Sequence, residues 1–151
     1  MRTIAVETTI RATPAQVWAY VEDVGSHVEW MHDAAAITFT SERRQGVGTT
    51  FDCLTKVGPI RLTDRMEITA WDDARTMGVR HVGLVTGSGA FTLEPLGDRH
   101  TRFRWREELR FPWWLGGRVG ERLGAPVLAA IWRRNLRELR AVVEARAGAA
   151  A

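Results

Sequence analysis

The stretch T-P-A-Q-V-W-A at residues 13–19 decides the fold of this chain. Thr13 carries the hydroxyl of a helix N-cap, and Gln16, three residues on, can reach back to the cap's own amide. Pro14 takes a first-turn position, where a missing N–H costs nothing. Just upstream, Ile4, Val6, Thr8 and Ile10 alternate with Ala5, Glu7, Thr9 and Arg11, the period of a half-buried strand. A strand therefore runs straight into a capped helix, expected over residues 14–24.

Working outward, Gly25-Ser26 breaks the helical pattern, and V-E-W-M-H-D-A-A predicts a short helical piece over residues 28–35. Period-two segments follow at 36–41, 49–57, 60–71, 76–83, 84–94 and 101–111. Turn-like residues separate them, among them Gly58-Pro59, Asp72-Asp73-Ala74 and Leu96-Gly97-Asp98. Such short separators favour consecutive antiparallel neighbours.

The last element is helical. Val127, Leu128, Ile131, Trp132, Leu136, Leu139, Val142 and Val143 share one broad face, with Arg133, Arg134, Arg137, Glu138 and Arg140 largely opposite. Pro126 suits a first turn, so the main helix is expected to begin near Ala125, after a separate piece over 114–123 weakened by Gly116, Gly117 and Gly120. A long amphipathic helix following six or seven strands needs an apolar surface, and the concave face of the sheet is the one large enough. The expected class is α+β: a curved antiparallel sheet around a long C-terminal helix, with two short helices after the first strand. One domain is expected over residues 1–146, with a frayed Ala/Gly tail at 147–151.

A chain of 151 residues with 45% hydrophobic and 26% charged residues suits one globular domain with one core. Seven Trp against one Tyr fit either a wide core or a cavity for an apolar ligand. The net charge is +3, but acidic residues interleave with the Arg and no basic cluster joins a nucleic-acid motif, so no nucleic-acid partner is expected. Cys53 stands alone, which excludes an intramolecular disulfide and suits a reducing compartment. The opening M-R-T-I-A-V-E lacks the apolar core of a secretory signal. The charge-free stretch at 123–132 is far short of the ~20 residues of a membrane span. A cytoplasmic protein is expected.

Parity assigns the faces of the strands. Over 101–111 the Arg row, Arg102, Arg104, Arg106 and Arg110, must be wet, so Glu107 points inward with Phe103, Trp105 and Leu109. Asp64 shares the inward parity of Ile60, Leu62, Met66 and Ile68, and His81 that of Met77 and Val79. Phe51 and Val57 bring Cys53 and Thr55 inward. Three strands thus each hide an ionisable group among apolar neighbours, which is costly unless the group is paired, protonated or wet. Together Asp64, His81 and Glu107 suggest a polar patch in a water-accessible pocket; strand ends in solvent, or a β-bulge that reverses parity, are the plain alternatives. The outward Arg row, with Glu94, Glu67 and Arg65, reads as cross-strand charge pairs.

Other features are weaker. His27, His32 and Asp33 match no metal-ligand spacing, and no metal is expected. T-G-S-G-A at 86–90 lies within a strand, where glycines mark a bulge or bend more readily than a phosphate cradle. No nucleophile elbow exists, and nothing around Cys53 marks a nucleophile. Phe111-Pro112-Trp113-Trp114 reads either as a plug for the base of the core or as a pocket rim that touches a membrane or a hydrophobic ligand.

With its opening strand, T-P-A-Q-V-W-A-Y-V-E-D-V at 13–24, V-E-W-M at 28–31 and W-R-R-N-L-R-E-L-R-A-V-V-E at 132–144, nearly the whole chain resembles the START/Bet v 1-like (SRPBCC) superfamily, which includes polyketide cyclase/dehydrase and lipid-transport proteins. The resemblance implies a helix-grip fold with an elongated apolar cavity between sheet and helix, and members that carry or transform lipids, sterols, polyketides and hormones. No cofactor is expected. The family's aromatase/cyclases use an Arg on a central strand and a nearby Tyr. Here the nearest Arg is Arg65 in T-D-R-M, which parity turns to the wet face, and the only Tyr is Tyr20 in the first helix.

The expected function is binding of a hydrophobic small molecule. Phe51, Cys53, Met66, Met77, Phe91, Phe103, Trp105, Trp132 and Leu136 would form the walls, with Asp64, His81, Glu107 and Asn135 orienting a polar end. One alternative is a cyclase/dehydratase on a poly-β-keto chain, with His81, Glu107 and Asp64 as the catalytic candidates. The other is an interaction or regulatory module whose cavity its own Trp side chains fill. A homodimer and a transient membrane contact are compatible with each.

Overall fold

The computed structural model describes residues 2–150. Strand β1 (Arg2–Ile10) leads into helix α1 (Pro14–Val21), a 3₁₀ helix (Val24–Glu29) and strands β2 (Ala34–Phe39), β3 (Thr50–Val57), β4 (Ile60–Asp72), β5 (Thr76–Val82), β6 (Thr86–Leu96) and β7 (His100–Arg110). A short 3₁₀ turn (Trp113–Leu115) then feeds the long helix α2 (Gly117–Ala150). The seven strands form one antiparallel sheet in the order β1-β7-β6-β5-β4-β3-β2. Consecutive hairpins account for β2 to β7, and β1 closes on β7. This is the α+β helix-grip architecture that the sequence predicts, including the two short helices after the first strand.

The helix start follows the expected chemistry. Thr13 Oγ1 accepts from the Gln16 amide at 3.2 Å, and Gln16 Oε1 accepts from the Thr13 amide at 2.9 Å. The segment after α1 departs from expectation. α1 ends at Val21, and the helical piece expected over 28–35 is instead a 3₁₀ helix upstream and the start of β2 downstream. Two side chains turn the chain here: Asp23 accepts from the Gly25 amide at 3.1 Å, and the His27 ring contacts the Val21 carbonyl oxygen at 2.8 Å. Trp30 then drops fully buried into the core, among Phe91, Phe103 and Trp105. Cross-strand pairing with β3 takes over from Ala34.

Helix α2 begins at Gly117, well before the expected start near Ala125, and Pro126 sits inside it. Tertiary contacts hold the early turns despite the glycines. The Phe111 amide donates to Glu121 Oε1 at 2.9 Å, and the Phe111 ring packs over Gly120 and Gly124. The helix continues to Ala150, through residues expected to fray. Trp132, Leu136, Leu139 and Val143 are its gripped positions, packed mainly on β1 and β7.

Alternation along the strands gives the sheet its two faces. In β7 the buried set is Thr101, Phe103, Trp105, Glu107 and Leu109. The outer face carries ion pairs between neighbouring strands: Arg102–Glu94 at 3.3 Å, Arg104–Glu7 at 2.8 Å and Arg80–Glu67 at 2.7 Å. A register shift between Ile68 and Ala70 reverses the parity at the end of β4. Trp71 therefore turns in against Trp18, with ring centroids 5.1 Å apart.

The grip is lopsided along α2, and stability should show it. Leu139→Ala, at a fully buried position, is expected to cost about 2–5 kcal/mol in denaturant unfolding. Leu123→Ala, in an exposed early turn, should stay within about 0.5 kcal/mol.

Candidate functional site

Asp64, His81 and Glu107 come from three different strands, β4, β5 and β7, and meet on the inner face. Asp64 is the diagonal neighbour of His81, because Met66 is the residue directly opposite. Its Oδ2 lies 2.7 Å from His81 Nδ1. Glu107 Oε2 lies 2.5 Å from His81 Nε2 on the other side of the ring. All three residues are buried.

The second contact spans a whole strand. β6 runs between β5 and β7, so His81 and Glu107 are anchored two strand spacings apart, about 10 Å across the sheet, and are two residues out of register. Their side chains meet because the two β6 residues between them are glycines: Gly87 pairs with His81 and Gly89 with Glu107. A Cβ on Gly89 would stand 2.6 Å from the Glu107 carboxyl carbon. Gly87 has φ +131, and a Cβ there would strike the Glu108 carbonyl. The T-G-S-G-A stretch is thus the gap in the inner face across which the imidazole is clamped. The expectation of a bulge or bend missed this role. The signal was there, since Gly87 and Gly89 share the parity of Phe91 and Leu93.

Burial alone would push the His81 imidazolium down. The Glu107 charge, hydrogen bonds to Asp64 and Glu107, and the Asp64 charge outweigh it, and the pKa is raised to about 10. At neutral pH His81 is therefore a cation whose two N–H groups both donate. Glu107 Oε1 also accepts from Trp105 Nε1 at 3.0 Å, whereas the buried Asp64 Oδ1 has no hydrogen-bond partner among the described residues. Cys53 stands opposite Asp64 in the β3–β4 register, and burial pushes its thiol up to about 11.

A cavity of about 430 Å³ opens beside this cluster, between the sheet and α2. Phe51, Cys53, Asp64, Met66, Met77, His81, Phe91, Trp105, Glu107 and Trp132 line it, all of them residues expected at its walls or polar end. Three other residues expected there lie elsewhere. Phe103 and Leu136 belong to the solid core beneath α2. Asn135 is fully buried, but it holds the chain rather than the cavity: its Nδ2 donates to Asp33 Oδ1 at 2.7 Å, and its Oδ1 accepts from the His32 amide at 2.9 Å. Asp33 itself is a lining residue that sequence reasoning passed over, and so is His27. Asp33 also accepts from Trp132 Nε1 at 3.2 Å, and the Trp132 indole stacks on Trp105 with centroids 4.5 Å apart and planes 15° apart. Trp105 and Trp132 stand in the wall without closing the space. The exposed lining residues Ile60, Leu123 and Val127 mark its mouth, with exposed Trp113 and Trp114 just before α2. Among the described residues, no group of three or more His, Cys, Asp or Glu is arranged to hold a metal ion, and no helix is long and apolar enough to cross a membrane.

A family model described as polyketide cyclase/dehydrase and lipid transport matches residues 1–144. The chain belongs to this family. Solved structures agree on the fold. The protein XoxI from Bacillus cereus has a TM-score of 0.74 at 15% identity, with 95% of this chain and 96% of that one covered. A conserved protein from Geobacillus kaustophilus has a TM-score of 0.77 at 12% identity, covering 94% and 95%. A Thermus thermophilus protein has 0.68 at 18%, covering 99% of each chain. No curated protein matches the chain.

Within the polyketide cyclase/dehydrase and lipid transport family, the Arg and Tyr of the aromatase/cyclases have no inward-facing counterpart at the two residues considered for them. Arg65 is exposed on the outer face, 3.3 Å from Asp52. The Tyr20 hydroxyl donates to Glu29 at 2.9 Å, away from the cavity.

The clamp has a pH signature. His81 is raised in the folded state, so its contribution to stability is complete below the unfolded value near 6.5 and is lost as pH climbs through about 10. Imidazole NMR should place the His81 midpoint near 10, and a midpoint near 6.5 would refute the clamp. His27 behaves oppositely: burial, against its Val21 hydrogen bond, holds it down at about 4, so its contribution is lost as pH falls from 6.5 toward 4. Gly89→Ala should displace Glu107, lower the His81 midpoint and destabilise the protein by about 1–3 kcal/mol.

Proposed function

We propose that this protein binds a hydrophobic small molecule in the cavity between the sheet and α2. One observation carries the reading: an apolar-walled space of about 430 Å³ with a hydrogen-bonded cluster of three polar residues, Asp64, His81 and Glu107, set in its wall. Apolar walls supply affinity through burial, and a few convergent polar groups supply orientation. The family description, which includes lipid transport, supports the same reading. The exposed indoles of Trp113 and Trp114 near the mouth suit a transient membrane contact during ligand exchange.

The second reading, cyclisation or dehydration of a poly-β-keto chain, draws support from the family description and from an imidazole seated between two carboxylates. Its chemistry is less well served. A general acid–base works best with a pKa near the operating pH, and His81 is held at about 10 by the groups that position it. The clamped imidazolium suits a fixed charge more than a proton shuttle.

Nile red, a neutral apolar dye, is expected to brighten on binding the purified protein, and native mass spectrometry to reveal a co-purifying lipid-like ligand. Leu62→Trp, which places an indole in the cavity wall, should abolish dye binding while the fold is retained. Equal dye binding by this variant, or a protein that takes up no dye at all, would defeat the binding reading. For the enzymatic reading, Glu107→Gln should reduce turnover of a poly-β-keto substrate by roughly 10²–10⁴-fold.

A further inference from the structure

The chain carries 21 Lys and Arg against 18 Asp and Glu, yet no Lys or Arg among the described residues lines the cavity. Its charged lining is Asp33, Asp64 and Glu107, with His81 set between the last two. Two carboxylates against one imidazolium leave a formal negative charge in a buried cluster. Both His81 N–H groups are consumed inside that cluster, so they are not free to meet a ligand anion. The Trp105 and Trp132 indole N–H groups are likewise committed, to Glu107 and Asp33. Acceptor capacity remains: among the described residues Asp64 Oδ1 is buried without a hydrogen-bond partner, and a carboxylate has about four lone-pair sites to fill.

An unpartnered buried acceptor costs free energy, and a net charge in an apolar site costs more. A ligand offering a positive charge relieves the second cost most fully, and a donor that draws the Asp64 carboxylate round toward the cavity relieves the first. A carboxylate-ended ligand would meet like charge and no free charged donor. We propose that the cavity selects apolar molecules ending in a hydrogen-bond donor, with a protonated alkylamine as the best fit, and rejects those ending in a carboxylate. This rests on the ligand-binding reading above and adds the chemistry of the ligand's polar end.

Three probes of equal chain length separate the terms: decylamine, decanol and decanoate, titrated calorimetrically at neutral pH below their aggregation limits. Decylamine should bind at least about tenfold more tightly than decanoate, with decanol between them. Asp64→Asn keeps the shape of the side chain and removes its charge; it should cut the decylamine advantage over decanol by roughly tenfold and leave decanol nearly unchanged. Decanoate binding as tightly as decylamine would overturn the proposal, and so would an amine preference that survives in Asp64→Asn. The wild-type ranking decides the matter even where the variant folds poorly. If none of the three binds, the cavity does not take such ligands and the binding reading falls first, carrying this inference with it.

Discussion

The width of the sheet governs this structure. Six spacings between seven strands amount to about 29 Å, whereas one helix with its side chains is about 10–12 Å across. A single helix cannot cover such a face. α2 lies chiefly on β1 and β7, at one side of the sheet, and its gripped residues Leu136, Leu139 and Val143 pack there without gaps wide enough to line the cavity. Much of the inner face of β3, β4 and β5 lines the cavity, while the far end of β4 meets α1 through Trp71 and Trp18. Aromatic rings around Trp30 form the boundary between the two regions. The cavity thus follows from covering a wide sheet with one helix.

The same incomplete cover explains how three ionisable groups come to sit on an apolar face. Beneath the helix they would have to be enclosed by side chains. Beside the cavity they need only satisfy one another, and they do so across a strand whose side chains have been removed at Gly87 and Gly89. The arrangement is rigid because each member is held from a different strand. It is also incomplete, since one Asp64 oxygen is left without a donor among the described residues.

How far the residues announce this depends on the range of the interaction involved. The capped start of α1 was legible, because Thr13, Pro14 and Gln16 act within one turn. So was the inward placement of Asp64, His81 and Glu107, because strand parity is local and both bulges lie away from them. What stayed hidden depends on partners distant in sequence. Gly89 acquires its meaning only from the register that sets it against Glu107, and Asn135 only from Asp33, some hundred residues away. The early start of α2 is similar: glycines and a proline argue against it locally, and the Phe111 contacts decide otherwise. Local propensity lost to tertiary packing there.

Charge in this protein is sorted by face, and the sorting limits what net charge can say about function. The Arg side chains that make the molecule basic are largely spent outside, where Arg80, Arg102 and Arg104 answer Glu67, Glu94 and Glu7 across neighbouring strands. Pairs so exposed contribute little to stability and are screened by salt. The inner face is separated from them by the thickness of one sheet, and it carries the opposite sign in surroundings where screening is weak. A molecule placed in the cavity would meet the field of Asp64, Glu107 and Asp33 at short range, and that of the Arg rows only through the sheet. Inside the cavity the interior charge outweighs the overall one, because electrostatic energy falls as dielectric and distance grow and does not follow the sum over the chain.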